Sequence, residues 1–142
     1  MRYIGEQYNL AGTTPKERAA ISVMENYMLD LLRAFSLVTY NPNYFTLKQE
    51  HLKEYLPNHL TLLSDYFSDS LFVTGSNVSY VDFYVYEYLY RMSVLAKEVF
   101  DQFPTLKAFI SRIQSFPKVA DYIQATKPKL FCKSIAKWNG MG

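Results

Sequence analysis

TGSNVSYVDFYVYEYLYRM, residues 74–92, sets a turn directly against a helix-length run that is apolar on every side. Gly75, Ser76 and Asn77 are turn formers. Ser79 then stands at an N-cap position with Asp82 three residues on, the spacing of a reciprocal capping box. Val78 before the cap and Phe83 four positions into the helix have the spacing of a hydrophobic staple. Asp82 also places negative charge at the positive end of the helix dipole. After Ser79, Tyr80, Val81, Tyr84, Val85, Tyr86, Tyr88, Leu89 and Tyr90 spread around the whole circumference. A helix apolar all round is one enclosed by others. The stretch predicts the central helix of an all-α helical bundle, its start fixed by Ser79 and Asp82. A Ser79/Asp82 catalytic pair is the sharper reading, but nothing else in the chain completes it.

The flanks read the same way. Thr14-Pro15-Lys16-Glu17 offers an N-cap, a proline at the first helical position and a capping-box glutamate. Ile21, Met24, Met28, Leu31, Phe35 and Val38 then recur at helical steps, and Asn41-Pro42-Asn43 ends the run. A second helix is expected from about residue 47 to residue 67, with Leu52, Leu56, Leu60, Leu63 and Phe67 along one side. Pro57 should kink it. Residues 104–116 carry Leu106, Phe109, Ile110 and Ile113 at helical spacing. Pro117 opens another helix with Val119, Tyr122 and Ile123. Residues 126–142 read as an irregular tail.

The totals narrow the function classes. At 142 residues one domain is expected, long enough to bury a core without metal or disulfide staples. A net charge of +2 is too small to argue for nucleic acid or an anionic membrane. Lys127, Lys129, Lys133 and Lys137 read as a solvated tail. The single cysteine, Cys132, rules out an intrachain disulfide and suits a reducing compartment. Lys129 and Lys133 favour its thiolate, but an incidental tail residue is the plainer reading. His51 and His59 are not spaced as a helical metal pair, so no metal is expected. With 13 Tyr and 10 Phe, either an aromatic core or an aromatic binding surface is implied.

The capping box, the staple and the enclosed helix together resemble the C-terminal helical domain of cytosolic glutathione transferases. FDQFPTLKAFISRIQSFPKVADYI resembles that family's penultimate helices, and TTPKERAAISVMENYMLDLLRAFSLVTYNP resembles the domain's first helix in its mu-class form. The likeness runs through essentially the whole chain. RYIGEQYNLAGTT is similar to the end of the last helix of the family's N-terminal domain and the linker after it. The resemblance thus implies that residues 1–13 belong to that boundary and residues 14–142 to the helical domain. It also implies that the thioredoxin-like domain, which holds glutathione and the thiol-activating tyrosine, is absent.

On a helical wheel, Arg33, Ser36 and Tyr40 lie away from the apolar stripe, with Asp30 at the margin. Solvent exposure alone would explain that. The resemblance implies more. Asp30 matches the mu-class aspartate that reaches across the homodimer to the neighbour's glutathione. Tyr40 matches the tyrosine that faces the electrophile and donates to a forming oxyanion. Arg33 and Ser36 match positions that shape the electrophile pocket; the tail around Phe131 and Cys132 matches only across a gap, with Phe131 the residue expected to line the pocket there. Leu32 departs from the histidine common there, which leaves substrate preference open. The resemblance implies a cytoplasmic transferase acting on small hydrophobic electrophiles in detoxification, with glutathione as co-substrate and no cofactor. The rival reading is a non-catalytic assembly module of the same fold, distinguished by whether a thioredoxin-like segment is encoded upstream.

Overall fold

The computed structural model describes residues 1–126, and they are helical nearly throughout. Helix α1 (Arg2–Gln7) leads by a non-helical linker to α2 (Pro15–Thr39). The start of α2 forms as its sequence demands. Thr14 Oγ1 accepts the Glu17 N–H at 3.1 Å, and Glu17 Oε2 accepts from Thr14 N at 2.9 Å and from Thr13 N and Oγ1 at 2.7 Å each. These donors hold the Glu17 carboxyl down to about 2. All six residues of the expected stripe, Ile21 to Val38, are buried. Asn41 Oδ1 accepts from Asn43 N at 2.9 Å and turns the chain after the helix end.

The next segment differs from expectation. In place of one helix kinked at Pro57 there is α3 (Tyr44–Glu50), a π-helical turn over His51–Tyr55, and α4 (Leu56–Tyr66). The Leu56 N–H donates to the His51 carbonyl, five residues back. A proline ring strikes the carbonyl four residues before it and offers no N–H. The wide turn re-registers the backbone ahead of Pro57, so the proline falls in the first turn of α4, where its missing donor costs little. Leu56, Leu60, Leu63 and Phe67 are buried, and Leu52 partly so.

Helix α5 (Tyr80–Leu95) is the enclosed one: of its sixteen residues only Val94 is exposed. Helices α2 and α7 (Pro104–Gln114) pack against it. Phe67, just after α4, meets Phe109 of α7 with ring centroids 4.4 Å apart. The loop before α5 is tied from three elements. Tyr66 Oη donates to Val73 O at 2.7 Å, Arg112 Nη1 donates to Leu71 O at 2.8 Å, and Val73 N donates to Asp82 Oδ1 at 2.8 Å. Gly75, at φ +99°, permits the paired Phe72–Gly75 bridge.

Helix α6 (Lys97–Phe100) is a single turn not anticipated from the sequence. Helix α8 (Pro117–Thr126) forms where Pro117 predicts it but buries none of its residues. Val119 only skirts the core and Tyr122 is 60% exposed, so these positions do not make a core face. Among the described residues no helix is long and apolar enough to cross a membrane. Phe131, Cys132 and the tail lysines lie outside the described residues.

Candidate functional site

The buried stripe of α2 dictates what the helix shows outward. With Leu31, Phe35, Val38 and Thr39 turned into the core, residues 33, 36, 37 and 40 share the opposite side over the last two turns. There Arg33, Ser36, Leu37 and Tyr40 join Asn41 and Pro42 around one open hollow of about 530 Å³. Three of the expected pocket residues are therefore brought together. Tyr40 caps the helix, its N–H donating to Ser36 O at 3.0 Å, and the residue is 41% exposed. Among the described residues no hydrogen bond to its hydroxyl is formed. Asp30 stands one turn before Arg33, its Oδ1 3.5 Å from Arg33 Nη1, with both side chains largely exposed. A long, exposed ion pair of this kind is weak. The arrangement offers two hydroxyl donors and a cation along an apolar strip.

Ser79 and Asp82 are structural. Asp82 is fully buried. Its Oδ2 accepts from both Ser79 N and Ser79 Oγ at 2.7 Å, and its Oδ1 accepts from Val73 N. Burial pushes its carboxyl above the ordinary range, and the three donors pull it part of the way back. Fully buried and holding three donors from its own loop, the carboxylate is closed off from any ligand. Val78 and Phe83 both pack half-buried against the core.

A second constellation was missed in the sequence. Tyr27 of α2 meets His59 of α4, Oη to Nδ1, at 2.6 Å. The Tyr55 ring lies 4.2 Å from the His59 centroid and 4.9 Å from His51, on which it stacks. Burial holds the His51 imidazole down to about 4, with His59 adding to the effect, and lowers His59 as well. Burial pushes the Tyr27 hydroxyl up to about 12, so it stays a donor. Tyr88 is buried beneath them, and its hydroxyl has no hydrogen-bond partner among the described residues. The signal available in sequence was the four-residue step from His51 to Tyr55 to His59; Tyr27 is 32 residues away. A hollow of about 420 Å³ runs beside this ladder, edged by Glu50 and Glu54. No group of three or more metal-ligating side chains occurs among the described residues.

Comparison with known proteins gives a consistent result. The family described as "Glutathione S-transferase, C-terminal domain" matches residues 16–126. A glutathione S-transferase of Tyrophagus putrescentiae is 46% identical over 140 residues, covering 99% of this chain and 64% of that protein. The class-mu 26 kDa isozyme 51 of Fasciola hepatica is 44% identical over 127 residues, covering 89% of this chain and 58% of that protein. The pi-class glutathione S-transferase of Onchocerca volvulus superimposes with a TM-score of 0.81 at 26% identity, over 99% of this chain and 68% of that one. The chain thus spans somewhat less than two-thirds of the length of these curated relatives.

Proposed function

The chain belongs to the glutathione S-transferase family, carrying its C-terminal helical domain, and from that premise we propose that it supplies the electrophile side of a glutathione conjugation. The observation that carries this reading is the single hollow uniting Arg33, Ser36 and Tyr40 on one face of α2. Residues 1–13 act as the boundary segment and residues 14–142 as the helical domain. Glutathione is the co-substrate, and the thiol is activated in a part of the protein beyond these residues. The sulfur forms a bond to carbon of a hydrophobic electrophile. With an epoxide, the ring C–O bond breaks and Tyr40 gives its proton to the alkoxide. Ser36 and Arg33 shape the wall. Asp30, exposed beside the hollow, suits the α-ammonium of the glutathione held by the partner of a homodimer. Such a protein acts in the cytoplasm, in detoxification.

The test is direct. With these residues joined to a glutathione-binding part, a glutathione conjugate bearing a hydrophobic tail is added and backbone amide resonances are followed. Shifts centred on Arg33, Ser36 and Tyr40 are expected. Shifts confined to the Tyr27–His59 side would overturn the placement of the site.

A further inference from the structure

Resting on the reading of the α2 hollow as the electrophile site, we infer that it selects hydrophobic electrophiles carrying an anionic group, a carboxylate or sulfonate, with Arg33 receiving the anion. Arg33 is the one charged side chain among the described residues that line the hollow. Asp30 stands outside the lining, and its nearest approach to the guanidinium is 3.5 Å, Oδ1 to Nη1. Five N–H donors in a planar fork exceed what that contact uses, and the fork matches an oxyanion bidentately. Because both members of the Asp30–Arg33 pair are largely exposed, an incoming anion exchanges for Asp30 at little cost.

The spacing supplies the rest of the recognition. Arg33 and Tyr40 are seven residues apart on one helix, roughly 10 Å along its axis. Leu37 lies between them and is 70% exposed, leaving an apolar surface for the body of a ligand. Pro42 extends that surface beyond the helix end. A molecule with its reactive carbon at the Tyr40 hydroxyl and its anion at Arg33 therefore has a bicyclic or longer apolar body. Ser36, half-way along, can donate to a polar atom on that body but gives no charge preference.

The experiment uses the 142-residue chain and two fluorescent dyes that share one apolar body: anilinonaphthalene sulfonate and uncharged phenylnaphthylamine. Arg33→Gln is expected to weaken the sulfonate about three- to tenfold, a modest factor because the site is open to solvent, and to leave the uncharged dye unchanged. Arg33→Lys recovers part of the loss, and added salt erodes the sulfonate's affinity only where Arg33 or Lys is present. Leu37→Ser, at an exposed position that folding does not require, weakens both dyes. Equal sulfonate affinity with and without Arg33 overturns the inference. If Leu37→Ser still weakens both dyes in that case, the hollow stands as the electrophile site and only its charge selectivity falls. If Leu37→Ser alters neither dye, the inference and the placement of the site fall together.

Discussion

Removing one oxygen from Tyr40 separates chemistry from packing. The residue is part-exposed at the end of α2, and its hydroxyl supports nothing among the described residues. In a protein with the glutathione-binding part present, Tyr40→Phe is expected to leave the melting temperature nearly unchanged. Turnover of epoxides and enones, which develop an oxyanion, should fall about ten- to a hundredfold, the equivalent of roughly 1.5–3 kcal/mol for one donor. An aryl halide needs no such donor and should lose less. Equal losses on both substrate types, measured as kcat/KM, would make Tyr40 a packing residue. Little of this site is legible from composition, since a chain with 13 tyrosines gives no reason to single one out. The helical wheel places Arg33, Ser36 and Tyr40 on one side because the apolar stripe is unambiguous. Their chemical meaning comes from the family likeness, and that they frame one hollow comes from the structure.

At the scale of elements, the caps and stripes were readable because they are local: Thr14 with Glu17, and Ser79 with Asp82, act within one turn. What Asp82 does for Val73, nine residues back, was not readable. Ser79→Ala removes a cap and should cost about 1 kcal/mol. Asp82→Ala leaves three buried donors without their acceptor, each worth about 1–3 kcal/mol when orphaned, so it should be clearly the worse of the two in urea denaturation. Activity per folded molecule should survive both changes; the reverse order of stability would contradict this role. The Tyr27–His59 ladder was hidden for a related reason, since it joins α2 to α4. That ladder sets a pH dependence. The ordinary imidazole value of 6.5 falls to about 4 for His51 on folding. Between those values the unfolded chain binds a proton that the folded chain refuses, so stability is full above about 6.5 and drops as pH falls toward 4. The tyrosines around it, Tyr27, Tyr55 and Tyr88, are pushed up by burial and stay neutral through that window, whereas His59 is lowered in the same direction as His51. His51→Phe keeps a ring on Tyr55 and should flatten the decline; an unchanged profile would place the acid sensitivity elsewhere.

For the described residues as a whole, α5 joins α2 to α6 and α7. Its first residue, Tyr80, also holds the leading segment. The Tyr80 N–H donates to Leu10 O at 2.9 Å, and Gly5 sits so close that a Cβ there would come within 2.5 Å of the Tyr80 ring. Arg2 pairs with Glu25 across the same junction. The helical body therefore closes on its own contacts, and residues 1–142 should melt cooperatively with a helical circular-dichroism signal. Glutathione is another matter. The one contact proposed for it here is the carboxylate of Asp30, on an exposed turn of α2. A single charge-assisted hydrogen bond is worth roughly 1.5–3 kcal/mol, and holding a free tripeptide costs about 4–15 kcal/mol of translational and rotational freedom. The cost exceeds the gain at either end of those ranges. Calorimetric titration of the folded 142-residue chain with glutathione should show no saturable heat up to millimolar concentration. Saturation in that range would mean that the helical body carries a glutathione site of its own, and the division of labour proposed between it and a thiol-activating part would be wrong.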